Sequence, residues 1–364
     1  VTDIFNPLFD ESVTVLPRKR IAIHGLGYVG LTAAVHWARA GWVVVGYDTD
    51  PNVIRRFNEG MPRAAEFLSY INTDVAELVR AEKLVGTTSF ELAASCPVQL
   101  IAVPTEKDGA PYNDIVESVL HKLFALCLGD TTILIESTLT PGTMDRFLQS
   151  VQMPPHHIHV ACAPRRDWFA SRDSNLAIIE RNVGGWLNCC TDSAVALLSN
   201  VSQHITVPKQ VPHFRSVELT KALENSLLHM QVMLGLELAM NRSDLEVAEA
   251  MRMATTHPRL IPIHLGPGTG GRCVPLGTQY LLATSGPGGL FQQALATDRN
   301  IRGAVARAIA QRVGTNTTAR VLVMGIGYRP DFADAGLSPG LAIAKSLRGD
   351  FGLEVAVADP MWSD

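Results

Sequence analysis

The sequence predicts an α/β protein built from two doubly wound parallel-sheet domains that a long central helix joins. Two glycine-rich turns carry this prediction, because each follows a short apolar run with the length of a buried strand. A long stretch with almost no turn residues lies between them. The 364 residues, 47% of them hydrophobic, are enough for more than one core. We therefore expect domains at residues 1–207, 208–300 and 301–364.

The first domain is predicted from an alternation of strands and helices. Arg20–His24 has the pattern of a buried strand, and the turn at residues 25–30 opens an Ala-rich helix that ends near Gly41. Helical stretches separate further strand-like runs at residues 42–47, 100–103 and 132–135. This alternation is typical of a parallel, doubly wound sheet.

The middle of the chain, residues 217–253, predicts one long helix or two joined ones. Apolar side chains recur there at helical spacing: Leu219, Leu223, Leu227, Met230, Met233, Leu234 and Leu238. Such a stripe is more often core or dimer interface than a ligand site, and we expect a homodimer. The Gly- and Pro-rich residues 258–275 that follow predict rigid turns, and such loops often carry binding groups.

The last part of the chain repeats the opening pattern. A strand signal at residues 320–324 runs into Gly325-Ile-Gly-Tyr-Arg329, and the run at 353–358 ends on Asp359. A second doubly wound unit therefore starts here. Only two strands are predicted for it, so we expect a minimal or truncated domain.

Composition and charge exclude several functions. The net charge of −4 gives no broad basic field, so we expect no nucleic-acid or anionic-membrane partner. The sequence has neither an apolar run long enough for a membrane span nor the pattern of a signal peptide at its start, and we expect a cytoplasmic protein. The six cysteines form no Cys-x-x-Cys pair. We expect most of them to be buried small side chains, and we expect no metal site.

The turn at residues 25–30 has the pattern Gly-x-Gly-x-x-Gly, which binds dinucleotides when it lies between a strand and a helix. Gly25 permits the tight turn, Gly27 lets a pyrophosphate approach the backbone, and Gly30 allows close helix–sheet packing. Asp48, at the end of the next strand, would accept the ribose 2′-hydroxyl and repel a 2′-phosphate. We therefore predict NAD rather than NADP; the alternative is a tight turn that binds nothing.

Further motifs carry a family resemblance in their order and spacing: Val103-Pro-Thr105, Glu136-Ser-Thr138, Pro141-Gly-Thr143, Glu218-Leu-Thr-Lys-Ala-Leu-Glu-Asn225 and Gly266-Pro-Gly-Thr-Gly-Gly-Arg-Cys-Val-Pro275. With the first glycine turn, they make the chain resemble the UDP-glucose, UDP-N-acetylhexosamine and GDP-mannose dehydrogenases over nearly its whole length. The Thr-His-Pro lead into Gly266 is most similar to the UDP-N-acetylhexosamine branch.

The resemblance implies an architecture and an activity. It implies a Rossmann-type NAD-binding domain at residues 1–207 and a helical dimerisation region with a Cys-bearing loop at 208–300. Residues 301–364 would begin a Rossmann-like domain that binds the nucleotide sugar. Members of the family perform two successive NAD-dependent oxidations, from alcohol to aldehyde to carboxylate. The implied substrate is a nucleotide-sugar-like small molecule.

The resemblance also implies catalytic roles. Cys273 corresponds to the nucleophile that captures the aldehyde, Lys221 and Asn225 to an oxyanion-stabilising pair, and Thr138 to a residue that orients water. The chemistry agrees, because residues four apart share one helix face and an ammonium favours the thiolate. Without the motif, Lys221 would be interpreted as a solvated helix charge.

Further contacts are implied for the two ligands. For NAD they are Gly25, Gly27, Tyr28, Val29, Gly30, Asp48, Val103, Thr105, Ser137 and Thr138. For the substrate they are Arg165, Lys221, Asn225, Arg259, Gly270, Gly271 and Arg329. The glycine-rich loop at 266–271 either presents backbone N–H groups to the substrate or is a tight connector.

Four features depart from the family pattern. Gly277 stands where the family has a proton-handling Asp four residues after the nucleophile, and Arg165 stands where it has a Glu. The motif Asp-x-Arg-Glu-Ser-Pro is replaced by Asp334-Ala-Gly-Leu-Ser-Pro339, and Arg329 replaces a Lys. Loss of a general base usually lowers a rate by about 10²–10⁴-fold.

Three functions are therefore open. The first is an NAD-dependent oxidation of a nucleotide-sugar or nucleoside-type substrate in an altered site, stopping after two electrons. The second is the standard four-electron oxidation to a uronic acid, with Asp167 or Glu224 replacing the missing carboxylates. The third is a non-catalytic NAD-binding homologue.

Overall fold

The computed structural model describes residues 19–61, 75–127, 129–154, 156–167, 176–242, 245–260, 263, 265–314, 319–327 and 334–362. Its strands are β1 (Arg20–His24), β2 (Val43–Tyr47), β3 (Leu84–Thr87), β4 (Val98–Ile101), β5 (Glu106–Lys107), β6 (Ala110–Pro111), β7 (Thr131–Ile135), β8 (Ile158–Cys162), β9 (Arg181–Asn182), β10 (Gly184–Gly185), β11 (Ile205–Thr206), β12 (Arg320–Met324) and β13 (Glu354–Ala358).

The described helices are α1 (Tyr28–Arg39), α2 (Pro51–Asn58), α3 (Val75–Arg80), α4 (Phe90–Ala94), α5 (Asp114–Leu126), α6 (Thr143–Ser150), α7 (Asn188–Leu198), α8 (Phe214–Asn241), α9 (Val247–Ala254), α10 (Val274–Ser285), α11 (Gly289–Val313) and α12 (Pro339–Gly349). None of them is long and apolar enough to cross a membrane. The chain divides into a first unit of residues 1–103, 119–136 and 153–207, and a second unit of residues 104–118, 137–152 and 208–364.

The first unit contains a seven-stranded sheet with the strand order β10-β8-β7-β4-β1-β2-β3. Its strand pairs are parallel except that of β10 with β8. The chain proceeds outward from β1 to β3 and then returns to β4 on the other side of β1. The carboxyl ends of β1 and β4 therefore flank the switch point at which doubly wound sheets bind ligands.

The centre of this sheet is buried, including the polar side chains of Arg20, His24 and Gln99. Every residue of β1 is buried, because helices cover both faces of a parallel sheet. The start of β2 is anchored by Trp42, whose ring meets that of the buried Trp37 edge-on at a centroid distance of 5.0 Å. This packing joins the last turn of α1 to the start of β2.

The second unit contains the helices α8, α10 and α11 and the parallel pair β12–β13. Helix α12 packs on this pair through Ile343 and Leu347. Leu322 and Met324 point to the opposite face of β12 and are 55% and 78% exposed. The two strands therefore have one covered and one open face.

The predicted α/β class, with glycine turns after the first strand of each sheet, is confirmed. Strands β1 and β12 have the predicted bounds, whereas β4 lies two residues earlier than predicted. The turn-poor middle segment forms two helices, α8 and α9, with a break after Asn241. Strands β3 and β8 were not predicted. The three-domain division stays a prediction.

Candidate active site

The first glycine turn is shaped to receive a dinucleotide. Gly25 has φ +89°, and a Cβ there would lie 2.6 Å from the carbonyl oxygen of Ala102. A Cβ on Gly30 would lie 1.8 Å from the carbonyl oxygen of Gly25, so α1 packs too closely for a side chain. A Cβ on Gly27, in contrast, would meet no described heavy atom within 4 Å. The open space over Gly27 is where a pyrophosphate would approach the backbone.

The amino end of α1, which is the positive end of its helix dipole, lies at the first glycine turn. Gly27 is the N-cap and has no side chain to bond the first N–H groups of the helix, and the first turn carries no acidic residue. The dipole of a helix favours an anion at this end.

Asp48, at the end of β2, lies beside the first glycine turn. Its Oδ2 accepts the backbone N–H of Leu26 at 2.9 Å, inside the glycine turn, and its Oδ1 accepts that of Asp50 at 3.0 Å. A carboxylate has about four lone-pair directions, so it can still accept ribose hydroxyls. The glycines, the helix end and this carboxylate fit NAD.

Arg165 lies beneath α1 in a buried ion-pair network. It is 6% exposed, and its Nε and Nη2 donate to the two carboxylate oxygens of Asp167 at 2.8 and 2.6 Å. Its guanidinium also donates to Thr32 of α1 at 3.1 Å and to Glu136 at 3.4 Å. The guanidinium is thus fully engaged inside the first unit, and its predicted contact with substrate stays a prediction.

The second arginine of this network is Arg181, which is also buried and donates to Glu136. Burial alone would raise the pKa of Asp167, but the adjacent Arg165 outweighs it, and the pKa is lowered. Two arginines therefore balance two carboxylates. Asp167, a predicted replacement base, is held ionised as the partner of Arg165.

Cys273 lies at the start of α10, in the second unit, as its N-cap residue. Its neighbours come from α8, because Gly277 of α10 meets that helix directly: a Cβ on Gly277 would lie 2.4 Å from the Cβ of Asn225 and 3.1 Å from the carbonyl oxygen of Ala222. Helices approach this closely only where one of them lacks a side chain. The predicted nucleophile and Asn225 therefore belong to one helix–helix contact.

The thiol of Cys273 is not activated. The residue is exposed as a whole, but burial of its thiol group raises the pKa of the thiol. The ammonium of Lys221 lowers the pKa, as predicted, and the carboxylate of Asp334 raises it further. The effect of desolvation is larger than that of the ammonium, so the pKa is raised and the thiol is protonated at neutral pH. Lys221 also lies 3.8 Å from Glu224, one turn along α8.

An ion-pair chain beside Cys273 was not predicted. Arg272 donates to Glu106 at 2.5 Å, and its Nε lies 3.8 Å from Asp334. Asp334 in turn accepts the N–H of Gly336 at 2.7 Å, while Gly271 donates its N–H to the carbonyl of Gly336. The segment at 334–339, which departs from the family motif, is thus fastened to the Cys-bearing loop.

Tyr280, one turn beyond Gly277, is a second residue that the sequence did not indicate. It is buried, and its phenol donates to the carbonyl of Thr105 at 3.0 Å, with the hydroxyl of Thr105 at 2.9 Å. Burial raises the pKa of Tyr280 to about 12, so the phenol stays protonated. The hydroxyl of Thr105, predicted to contact NAD, is therefore already hydrogen-bonded.

Glu218 is a buried carboxyl at the start of α8. It accepts the backbone N–H groups of Gly142 and Met144 at 2.9 and 3.0 Å, which are the first free donors of α6. Burial outweighs these bonds and raises the pKa of Glu218 to about 7. The side chain thus joins two motifs of the predicted site.

The other predicted contacts occupy varied positions. Ser137 is buried and Thr138 half-buried at the end of β7. Gly271 is buried with φ +76°, and Gly270 is half-buried. Arg259 is exposed. Arg329 lies outside the described residues.

The second glycine turn follows β12. Gly325 has φ +85°, and Asp359, just after β13, accepts the N–H groups of Ile326 and Gly327 at 2.7 and 3.0 Å. A Cβ on Gly340 would lie 2.8 Å from the carbonyl oxygen of Gly325. These backbone bonds lower the pKa of Asp359.

Known proteins match the chain along most of its length. A UDP-N-acetyl-D-mannosamine dehydrogenase from Pyrococcus horikoshii is 29% identical over 356 residues, which cover 94% of this chain and 83% of the relative. One from Campylobacter jejuni is 24% identical, covering 94% and 86%.

Solved structures of similar fold include nucleotide-sugar dehydrogenases. That of the UDP-D-ManNAc dehydrogenase from Pyrococcus horikoshii is similar with a TM-score of 0.84 at 26% identity, covering 94% of this chain and 84% of that one. A UDP-N-acetyl-mannosamine dehydrogenase from Staphylococcus aureus has a TM-score of 0.80 at 23% identity, covering 95% and 83%, and supports the fold alone.

Two family profiles match in succession. The NAD-binding domain of the UDP-glucose/GDP-mannose dehydrogenase family matches residues 19–186, and the central domain of the same family matches residues 215–301. The first contains the glycine turn with Asp48, and the second contains the Cys273 loop. The chain therefore belongs to the UDP-glucose/GDP-mannose dehydrogenase family and is an NAD-dependent dehydrogenase that acts on CH–OH groups.

Proposed function

We propose that this protein oxidises a UDP-N-acetylhexosamine with NAD and removes two electrons instead of four. The class of substrate follows the curated relatives, which are named UDP-N-acetyl-D-mannosamine dehydrogenases. It also follows the Thr-His-Pro lead into the loop at Gly266. The proposal that only two electrons are removed rests on one observation. A side chain at position 277, where the family has its proton-handling Asp, would clash with Asn225.

The bound cofactor would supply the hydride acceptor. Gly25, Gly27 and Gly30 hold its pyrophosphate against the backbone, and Asp48 accepts its ribose hydroxyls. A carboxylate at this position repels a 2′-phosphate, which excludes NADP as the preferred cofactor. Oxidation of the alcohol releases one hydride and one proton, and the protein has to orient the C–H bond and polarise the oxygen.

Lys221 and Asn225 are the residues proposed to polarise that oxygen. They are one helical turn apart on α8, and an ammonium with an amide N–H aimed at one point stabilises a developing negative charge. The contact of Gly277 with Asn225 fixes the position of α10 relative to this pair. Both residues serve the first oxidation, and neither requires a thiolate.

The second oxidation requires more than these residues provide. The thiol must attack the aldehyde as a thiolate, and water must later be deprotonated to cleave the thioester. The pKa of Cys273 is raised, Gly277 replaces one acid, and Asp167 is engaged by Arg165. We therefore propose that the product is the aldehyde or ketone.

Four-electron oxidation is the second candidate, favoured by the retention of Cys273 beside Lys221. Glu224, half-buried and 3.8 Å from Lys221, is the carboxylate that would replace the missing base. Its product is a uronic acid, formed with two NADH per sugar.

The test incubates the protein with NAD and a panel of UDP- and GDP-sugars. Absorbance measures the number of NADH formed per sugar, and mass spectrometry measures the mass of the product. The proposal predicts one NADH and a loss of two hydrogens, and this activity survives Cys273→Ala. Two NADH with the loss of two hydrogens and the gain of one oxygen, abolished by Cys273→Ala, would establish the four-electron route. NAD binding without turnover of any sugar would indicate a non-catalytic homologue.

We also propose a homodimer that forms through α8. Five leucines lie within one face of this helix and are exposed: Leu219, Leu223, Leu227, Leu234 and Leu238. Leu227 and Leu234 are 64% and 70% exposed, which is unusual for adjacent large apolar side chains. Light scattering should give twice the chain mass, and Leu227→Asp with Leu234→Asp should give the monomer.

A further inference from the structure

The first unit carries a cluster of metal-ligating side chains that is separate from the cofactor turn. The side chains of His157, His159, Cys189 and Cys190 each offer a ligand atom, and these four atoms all lie within 4.8 Å of one another. The Cys189 Sγ is 3.6 Å from Nε2 of His157, and the two imidazole rings lie 4.1 Å apart.

Two elements bring these residues together. His157 and His159 are two apart at the start of β8, so the alternation of the strand puts both on the same face. Cys189 and Cys190 lie in the first turn of α7. The metal would thus join the start of a strand to the start of a helix.

The packing around the cysteines holds α7 in place. A Cβ on Gly185 of β10 would lie 2.6 Å from the Cβ of Cys190, so the helix starts directly against the sheet edge. The N–H of Gly185 also donates to the hydroxyl of Thr191 at 2.9 Å. Cys190 is buried, whereas Cys189 and His157 are exposed.

The cluster is accessible and has unused ligand capacity. His157 and Cys190 line a pocket of about 330 Å³. The buried Nδ1 of His159 has no hydrogen-bond partner among the described residues. An unpartnered buried nitrogen costs free energy, and a bound cation would remove that cost.

We propose that His157, His159, Cys189 and Cys190 bind one Zn²⁺ in a tetrahedral, structural site. Two imidazoles and two thiolates are a common ligand set for structural zinc, with Zn–N near 2.0–2.1 Å and Zn–S near 2.3 Å. Those bond lengths require the ligand atoms to approach to about 3.3–3.8 Å, and the exposed side chains of His157 and Cys189 would rotate toward Cys190 and His159. The two thiol protons pass to solvent on binding, and the neutral site needs no further counter-ion.

The experiment measures zinc in the full-length protein and then replaces it. After chelation and dialysis against zinc, mass spectrometry of metals should give one Zn²⁺ per chain. Co²⁺ in its place should give the intense visible bands of a tetrahedral site and a thiolate-to-metal charge-transfer band.

Two variants at exposed positions test the ligands. Cys189→Ser and His157→Ala should each lower zinc affinity by more than roughly 100-fold, because loss of a ligand costs more than loss of an outer-shell partner. Cys189→Ser should also weaken the charge-transfer band. Circular dichroism of the metal-free variants checks that they are folded.

Two controls separate this cluster from other thiols and imidazoles. His204→Ala removes an exposed histidine of the same unit, and Cys273→Ser removes the other exposed thiol. Both should keep one Zn²⁺ per chain. Three results would overturn the proposal. The first is an unchanged zinc content in both Cys189→Ser and His157→Ala, and the second is a loss of zinc only in Cys273→Ser. The third is a parent protein without stoichiometric zinc.

Discussion

Gly25 and Gly325 both end the first strand of a parallel pair in the left-handed region, with φ +89° and +85°. In both turns a carboxylate that follows the next strand, Asp48 or Asp359, accepts backbone N–H groups of the turn. In both, a helical glycine packs near the carbonyl of the turn glycine. The backbone chemistry of the two turns is therefore the same.

Their surroundings are different. Strand β1 lies inside a seven-stranded sheet and is wholly buried. Strand β12 pairs with β13 alone among the described residues, and its own residues alternate between exposed and half-buried. An added Cβ would lie 1.8 Å from the carbonyl oxygen of Gly25 at Gly30, but 2.8 Å from that of Gly325 at Gly340. The comparison teaches that the same glycine–aspartate turn forms in both places, while the helix packs more closely on it in the seven-stranded sheet than in the two-stranded pair.

The largest expected difference between the turns lies at their packing glycines. Gly30→Ala places a methyl group on a backbone oxygen that cannot move, so we expect destabilisation above the roughly 1–3 kcal/mol usual for overpacking. Gly340→Ala should cost less, within the roughly 1–3 kcal/mol usual for overpacking, because its Cβ would lie 2.8 Å instead of 1.8 Å from a backbone oxygen. Urea denaturation of both variants measures the two costs. Equal costs would contradict the comparison.

The strands should differ by a smaller amount. Ile23→Ala empties a fully buried site in β1 and should cost about 3 kcal/mol. Leu322→Ala, at a position 55% exposed on β12, should change stability by less than about 0.5 kcal/mol. Thermal unfolding compares them. A large cost at Leu322 would mean that a partner covers the open face of β12.

The two carboxylates should differ in NAD binding. Asp48→Asn keeps an acceptor for the Leu26 N–H but loses the charge, so NAD affinity should fall by about 10- to 100-fold. Asp359→Asn is the matched control and should leave NAD affinity unchanged. Calorimetric titration with NAD, and then with NADP, measures both. If Asp359→Asn also weakened NAD binding, the turns would not differ as proposed.

The smallest effect concerns acid stability. Hydrogen bonds from Gly327, Met361 and Ile326 lower the pKa of Asp359 below its ordinary 3.8. A carboxyl with a lowered folded-state pKa stabilises the fold above its unfolded-state pKa, and this contribution disappears as pH falls through the folded-state pKa. Parent and Asp359→Asn should therefore differ slightly in unfolding midpoint at neutral pH and converge in strong acid. A difference that grows in acid would have the wrong sign.

Local features of the fold could be predicted from sequence. The turn at residues 25–30 and the bounds of β1 depend on neighbouring residues and appear as predicted. Strand β8 was missed because His159 interrupts a short apolar run. The long α8 was predicted from its turn-poor sequence, but its stripe divides: Met233 is buried, whereas Leu234 is 70% exposed.

Contacts between distant residues could not be predicted. Arg165 was noticed as a departure from the family, but its partners Glu136 and Thr32 lie far away in sequence. The same holds for Arg272 with Glu106 and for Tyr280 with Thr105. Composition does not show which charges meet, since that depends on how the helices and strands pack.

Gly277 limits how this site could be redesigned. An Asp there would place its Cβ 2.4 Å from that of Asn225, so a carboxylate cannot be introduced by one substitution while α8 and α10 keep their spacing. A variant that accepts the carboxylate would first need a change that separates the helices, and such a change would displace Asn225 itself. Introducing an acid at this position would therefore take coordinated changes on two helices.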